Sequence, residues 1–143
     1  MKNILILGAG LSSSALIRYM LNNSEKFDWY IRLGDISLDL ARQKTGEHPR
    51  AEAIFFNVDN PDQLSVEVRK TDLVISMLPA RFHSAVAKEC IRFGVNMVTA
   101  SYVSKDIQSL DAQAKEKNIL LMNEIGADPA MDHMSAMQVM NRL

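Results

Sequence analysis

One short segment near the start of the chain constrains its fold most: an apolar run leads straight into a glycine turn and then into a helix. The run ends at Leu7, and Gly8 and Gly10 follow in a G-x-G pattern. In a Rossmann unit, the first glycine permits a tight turn and the second lets the backbone approach a pyrophosphate. Ser13 takes the third motif position, where glycine is usual. Amides that begin the helix can donate to an anion, so the segment predicts a dinucleotide-binding turn.

A carboxylate at the end of the second apolar run indicates which dinucleotide binds. Asp35 lies about 20 residues beyond the glycine turn, the spacing at which a Rossmann carboxylate accepts from ribose hydroxyls. A carboxylate there repels a 2′-phosphate, so Asp35 favours NAD over NADP as the cofactor. Arg32 and Arg42 are close enough in sequence to leave NADP as the less favoured alternative.

Apolar runs alternate with amphipathic segments along the chain. Six runs predict strands at 4–7, 28–33, 53–58, 73–78, 96–100 and 119–122. The segments between them predict helices, with Ser37 and then Asn60-Pro61 as helix starts and a single helix over 104–118. Short connections between alternating strands and helices predict an α/β fold. We expect a doubly wound parallel sheet in the Rossmann order 3-2-1-4-5-6.

Composition excludes several classes of protein. The chain has 143 residues, 48% of them hydrophobic, and a formal net charge of −1. This near-neutral charge gives no footprint for nucleic acid, and no apolar stretch reaches the ~18 residues of a membrane span. The single cysteine, Cys90, excludes an internal disulfide and favours the cytoplasm, and the histidines lack metal-ligand spacing. We therefore expect a cytoplasmic domain without nucleic-acid, membrane or metal partners.

The candidate cofactor-binding residues follow the first four predicted strands. They are Gly8, Gly10, Leu11, Ser12, Ser13, Asp35, Asp59, Ser76, Leu78 and Pro79. The serines after the turn either donate to phosphate or cap the helix. Asp59 either reaches the adenine amino group or begins a helix. Residues 76–79 end the fourth strand, where the switch-point crevice would hold the nicotinamide side, although Pro79 can also serve only to end the strand.

Ionisable side chains follow the fifth and sixth predicted strands. Tyr102, Asp128 and His133 lie where doubly wound folds keep their ligands, and each could transfer a proton beside a nicotinamide. The alternative for each of them is an ordinary loop or capping residue. We take Tyr102 and Asp128 as the catalytic candidates.

Three segments resemble the saccharopine dehydrogenase family in its glutamate-forming branch. They are LVISMLPA at 73–80, MVTASYVS at 97–104 and MNEIGADPAMDHMSAM at 122–137. The resemblance implies reversible reductive amination, in which glutamate and 2-aminoadipate 6-semialdehyde condense to an imine that accepts a hydride from a nicotinamide. It also implies that Tyr102 and Asp128 line the substrate site and act in proton transfer or substrate binding. The chain departs from the family at Ala130, where glycine is usual, and at Asp35, where NADP-dependent members have arginine.

The resemblance further implies a longer protein, with a second domain that binds substrate and mediates dimerisation. We expect residues 1–129 to form the NAD(P)-binding domain and residues 130–143 to begin a helix leading to that second domain. Methionines at 134, 137 and 140 form a stripe that needs an apolar partner. The chain alone is then expected to be catalytically inactive.

Two alternatives accompany this hypothesis. A related enzyme could act on another amine, as the carboxynorspermidine synthases do. A non-catalytic NAD-sensing module would need the turn and Asp35 but neither Tyr102 nor Asp128. The main hypothesis predicts an amino-acid substrate and a homodimeric full-length enzyme.

Overall fold

The computed structural model describes residues 1–142, which form one six-stranded sheet with helices on both faces. All strand pairs are parallel, and their order is β3-β2-β1-β4-β5-β6. The predicted doubly wound Rossmann fold is therefore confirmed. The strands are β1 (Lys2–Leu7), β2 (Trp29–Asp35), β3 (Ala51–Phe55), β4 (Leu73–Ser76), β5 (Asn96–Thr99) and β6 (Leu121–Met122). The α-helices are α1 (Ser14–Asn23), α2 (Leu38–Thr45), α3 (Pro61–Arg69), α4 (His83–Phe93), α5 (Lys105–Gln108), α6 (Asp111–Glu116) and α7 (Met131–Met140).

The central strand β1 supplies side chains to two separate cores. Ile4 and Ile6 belong to the core that includes residues of α1 and α2. Leu5 and Leu7 belong to the core on the opposite face, with residues of α3 and α4. Successive side chains of a strand point to opposite faces, so a strand covered on both sides is apolar throughout. The unbroken apolar run that precedes the glycine turn thus reflects the central position of β1.

The predicted helix starts are confirmed by their capping bonds. The Ser37 side chain accepts from the amide of Leu40 at 3.3 Å and begins α2. The Asn60 side chain accepts from the amide of Gln63 at 3.1 Å, and Pro61 is the first residue of α3. These side chains satisfy amides that have no partner within a helix. The caps fix where each chain segment leaves the carboxyl edge of the sheet.

The helix predicted over 104–118 is divided into α5 and α6. The Ser109 hydroxyl donates to the carbonyl of Asp106 at 2.6 Å, a local bond that competes with helix geometry. The buried side chains Ile107, Leu110 and Ala114 nevertheless continue across the break. The amphipathic pattern therefore identified the correct buried residues but not the interruption between them.

The last helix, α7, presents its apolar side chains to solvent. Met131, Met134, Met137 and Met140 are all exposed, and none of the residues of α7 is buried. The predicted methionine stripe is thus without an apolar partner among residues 1–142.

The structure also shows the surroundings of the cysteine, of the potential metal-binding side chains and of the apolar helices. Cys90 is completely buried in α4, and burial raises the pKa of its thiol to about 12. Residues 1–142 bring together no group of three or more His, Cys, Asp or Glu side chains that could hold a metal ion. Over the same residues, each helix is too short or too polar to cross a bilayer.

Candidate functional site

A cavity of about 630 Å³ opens where the glycine turn meets the segments that follow β2, β3 and β4. Parallel sheets of this order bind ligands at this edge. Six of the predicted cofactor-binding residues line the cavity: Gly8, Gly10, Asp35, Asp59, Leu78 and Pro79. The structure therefore brings together residues from four separate strand ends, as the sequence predicted.

Gly8 and Gly10 have different geometric roles in the turn. Gly8 has a φ of +102°, and a Cβ there would lie 2.9 Å from the carbonyl oxygen of Met77. A Cβ on Gly10 would meet no atom within 4 Å. Gly8 is thus needed for close packing against the segment after β4, whereas Gly10 leaves open space. That space lies beside a helix start, where the first amides have no partner within the helix.

The Asp35 carboxylate joins the glycine turn to the end of β2. Its Oδ2 accepts from the amide of Ala9 at 2.7 Å, and its Oδ1 accepts from the amide of Ser37 at 2.8 Å. An ionised carboxylate offers about four acceptor positions, so capacity for ribose hydroxyls is left. Asp35 therefore has a structural function in the turn that its sequence position did not reveal, beside the predicted cofactor role.

Four of the predicted cofactor-binding residues do not line the cavity. They are Leu11, Ser12, Ser13 and Ser76. Leu11 and Ser12 are exposed at the helix start, whereas Ser13 and Ser76 are completely buried. The Ser13 hydroxyl donates to the carbonyl of Gly10 at 2.8 Å. The hydroxyls of Ser13 and Ser76 thus bond to neighbouring protein groups rather than facing the open space.

Ser76 belongs to a buried network centred on His83, a residue to which the sequence analysis assigned no role. Ser76 Oγ lies 2.9 Å from His83 Nδ1, and Ser101 Oγ lies 2.8 Å from His83 Nε2. Burial lowers the pKa of His83, which favours the neutral ring. The network ties the end of β4 to the loop after β5. Hydroxyl residues at both strand ends, with a histidine beginning the next helix, were the available signal.

The two catalytic candidates are in direct contact. The Tyr102 hydroxyl donates to Asp128 Oδ1 at 2.5 Å, and the Glu124 amide donates to the Ser101 carbonyl at 3.0 Å. The loops after β5 and β6 are therefore joined at their backbone as well as through the two side chains. Both residues are exposed and lie outside the lining of the cavity.

His133, the third ionisable candidate, is not joined to this pair. Its Nδ1 lies 2.9 Å from the Asp132 carboxylate. The contact is between neighbouring residues at the start of α7. The structure thus separates His133 from the Tyr102–Asp128 contact.

Replacing Asp128 by asparagine is expected to lower the pKa of Tyr102 towards its ordinary value of about 10. The hydrogen bond to Asp128 is the main cause that raises this pKa, and the negative charge adds to it. Tyrosine titration followed by NMR measures the change. Asp62→Asn, on the exposed start of α3, is the matched control and is expected to leave the Tyr102 titration unchanged. An unchanged pKa in Asp128→Asn would show that the contact is absent in solution.

The fold and the cavity define a Rossmann domain with a ligand cavity at the carboxyl edge of its sheet. Comparison with known families identifies it further: residues 4–122 match the model described as "Saccharopine dehydrogenase NADP binding domain". The chain belongs to this family.

Relatives with assigned names agree with this membership. Saccharopine dehydrogenase [NADP(+), L-glutamate-forming] of Pyricularia oryzae is 34% identical over 99% of this chain and 31% of its own length. The mitochondrial alpha-aminoadipic semialdehyde synthase of Rattus norvegicus is 36% identical over 99% of this chain and 15% of its own length. This chain therefore spans about a third or less of the length of these relatives.

A solved structure shows the same architecture. The apo saccharopine dehydrogenase (L-Glu forming) from Saccharomyces cerevisiae superposes with a TM-score of 0.88 at 30% identity. The superposition covers 99% of this chain and 31% of the yeast chain. A 3-ketoreductase from Actinomadura kijaniata, at 16% identity and a TM-score of 0.68, shares the fold alone.

Proposed function

We propose that this chain is the cofactor-binding part of an oxidoreductase that acts on the CH–NH bond of saccharopine. The Tyr102–Asp128 contact carries the proposal, because it places a proton donor and a carboxylate at the same sheet edge as the dinucleotide cavity. A bound nicotinamide supplies the hydride chemistry. The protein then has to orient the reactants and to hold the proton that accompanies imine reduction.

Individual residues divide this work. The glycine turn and the helix start hold the diphosphate, and the segment 77–79, which packs against Gly8 at Met77, lines the cavity beside them. The Tyr102 hydroxyl holds a proton against Asp128 Oδ1, so the pair can donate to, or accept from, the substrate nitrogen. His83 keeps the loop that carries Tyr102 next to the end of β4.

The choice between NAD and NADP is a separate proposal. The family description and the names of the fungal relatives favour NADP. Asp35 supports the opposite choice, because its charged carboxylate lines the cavity and would repel a 2′-phosphate. We propose that this chain binds NAD more tightly than NADP.

Titration of the purified chain with NADH and NADPH tests both the dinucleotide site and the preference for NAD. We expect tighter binding of NADH and loss of that preference in Asp35→Ser. Asp39→Ser removes the same charge four residues further on, outside the cavity lining, and is expected to keep the preference. Tighter binding of NADPH by the unmodified chain would contradict the role given to Asp35. Failure to bind either nucleotide would contradict the dinucleotide site itself.

The full reaction requires more than residues 1–143. We propose that residues 1–129 bind the cofactor and that α7 leads towards the part that binds substrate and dimerises. The complete protein is then expected to oxidise saccharopine, whereas the chain alone is expected to show no turnover. A cytoplasmic location remains a prediction, and the rat, bovine and mouse relatives are named as mitochondrial.

A further inference from the structure

The cavity is lined by more negative than positive side chains, which disfavours an anionic ligand. Two carboxylates, Asp35 and Asp59, face it, and Arg81 is the one cationic side chain among the lining residues that the structure describes. A dinucleotide brings a negatively charged diphosphate into this space. Backbone amides of the glycine turn offset part of that charge. A nearby cation is needed to offset the repulsion from the two carboxylates.

Arg81 is positioned to supply that cation. It lies in the 3₁₀ turn Ala80–Phe82, directly after the segment whose Met77 carbonyl packs against Gly8. Its guanidinium carbon lies 4.4 Å from the centre of the Phe82 ring, and Phe82 also lines the cavity. A cation held over an aromatic face keeps its N–H groups available to a ligand.

Arg81 also lacks a competing anion. Within residues 1–142, its guanidinium forms no ion pair with a carboxylate. Two other basic side chains near the turn or on β2 already have protein partners. Lys44 bonds to the carbonyl of Gly10 and to Ser14 Oγ, and Arg32 pairs with Glu67. Among the residues 1–142 that line the cavity, Arg81 is therefore the cationic one, and its guanidinium has no carboxylate partner.

We infer that Arg81, in the turn that follows β4, binds the diphosphate of the dinucleotide. This inference rests on the proposed function and adds to it a phosphate-binding side chain that the glycine motif does not contain. Guanidinium groups bind phosphate through two parallel N–H···O bonds, a geometry that lysine does not reproduce.

The test is NADH titration of the purified 143-residue chain and of Arg81→Gln and Arg81→Lys. Loss of a charge-assisted contact is expected to weaken NADH binding about ten- to a hundredfold in Arg81→Gln. Arg81→Lys is expected to recover only part of the loss. Arg92→Gln is the matched control, because Arg92 also lies over a phenylalanine ring, at 5.1 Å, and lies outside the cavity lining. Circular dichroism checks that each variant is folded.

Ligand fragments identify the group that Arg81 contacts. ADP binding is expected to weaken in Arg81→Gln as NADH binding does, whereas adenosine binding stays unchanged. Equal loss of adenosine binding would overturn the inference in favour of stacking on adenine. A loss confined to NADPH would overturn it in favour of a 2′-phosphate contact. Unchanged NADH binding in Arg81→Gln would overturn it while leaving the proposed function intact, and no binding by the unmodified chain would overturn both.

Discussion

Alanine at position 8 is expected to destabilise the chain and to abolish dinucleotide binding. The added Cβ would lie 2.9 Å from a backbone carbonyl oxygen, that of Met77, which cannot move without shifting β4. The φ of +102° adds strain for any residue with a side chain. Strained backbone costs about 1–3 kcal/mol, and overpacking costs a similar amount. Urea denaturation measures the stability, and NADH fluorescence measures binding.

Gly10→Ala separates the two functions of the turn. A Cβ there meets no protein atom within 4 Å, and the φ of −62° suits any residue. The variant is therefore expected to keep its stability but to weaken NADH binding, because the methyl group occupies the space needed for the diphosphate. Equal denaturation midpoints for Gly8→Ala and the unmodified chain would contradict the packing argument. Unchanged NADH binding in Gly10→Ala would contradict the position assigned to the diphosphate.

Removal of the Glu67 side chain is expected to lower the free energy of unfolding substantially and to leave NADH binding unchanged. Arg32, on β2, pairs with Glu67 on α3, and their side chains are only 13% and 11% exposed. Burial acts to lower the pKa of Arg32, but bonds to Glu67 and Glu52 raise it overall. Breaking a buried pair costs about 3–5 kcal/mol because an unpaired charge is left in the interior. Because Glu52 still contacts Arg32 in Glu67→Ala, the loss in free energy of unfolding is expected at the lower end of this range, about 3 kcal/mol. Urea denaturation measures this loss.

Glu52→Ala is the comparison for this effect. Glu52 also contacts Arg32, at 3.1 Å, but its side chain is 49% exposed. An exposed pair contributes about 0–1 kcal/mol, so this variant is expected to be almost as stable as the unmodified chain. Similar losses in both variants would show that burial does not set the strength of this pair. NADH binding at low temperature is expected to be the same in both, because neither residue lines the cavity.

The sequence predicted the fold well because its strongest signals are local. Strand runs, the Ser37 and Asn60 caps and the glycine turn each depend on residues close together in the chain. Their order along the chain then selected one sheet topology, because right-handed crossovers and the glycine turn leave few alternatives. The break at Ser109 was missed because a single side-chain bond interrupts an otherwise continuous amphipathic pattern.

The site was predicted less completely because its contacts join distant residues. The hydroxyl residues after β4 and β5 are a weak signal of a polar site, but their spacing does not say that Ser101 will meet His83. The sequence around Asp35 likewise does not indicate its bond to Ala9. Ser76 is a polar residue at a strand end, where ligand-binding residues are expected, yet its hydroxyl faces the imidazole of His83. Arg81 belongs to no sequence motif, because the phosphate-binding role inferred for it depends on the charged residues that surround it in the cavity.

The central position of β1 has a consequence for synthesis on the ribosome. Of the six strands, β1 is made before the others, but one of its neighbours, β4, begins only at Leu73, which pairs with Ile4. Until that segment leaves the ribosome, one side of the central strand lacks its hydrogen-bonding partner. Unpaired apolar strand edges promote aggregation. From completion of β2 until emergence of β4, the nascent chain is therefore expected to expose one unpaired edge of its apolar central strand.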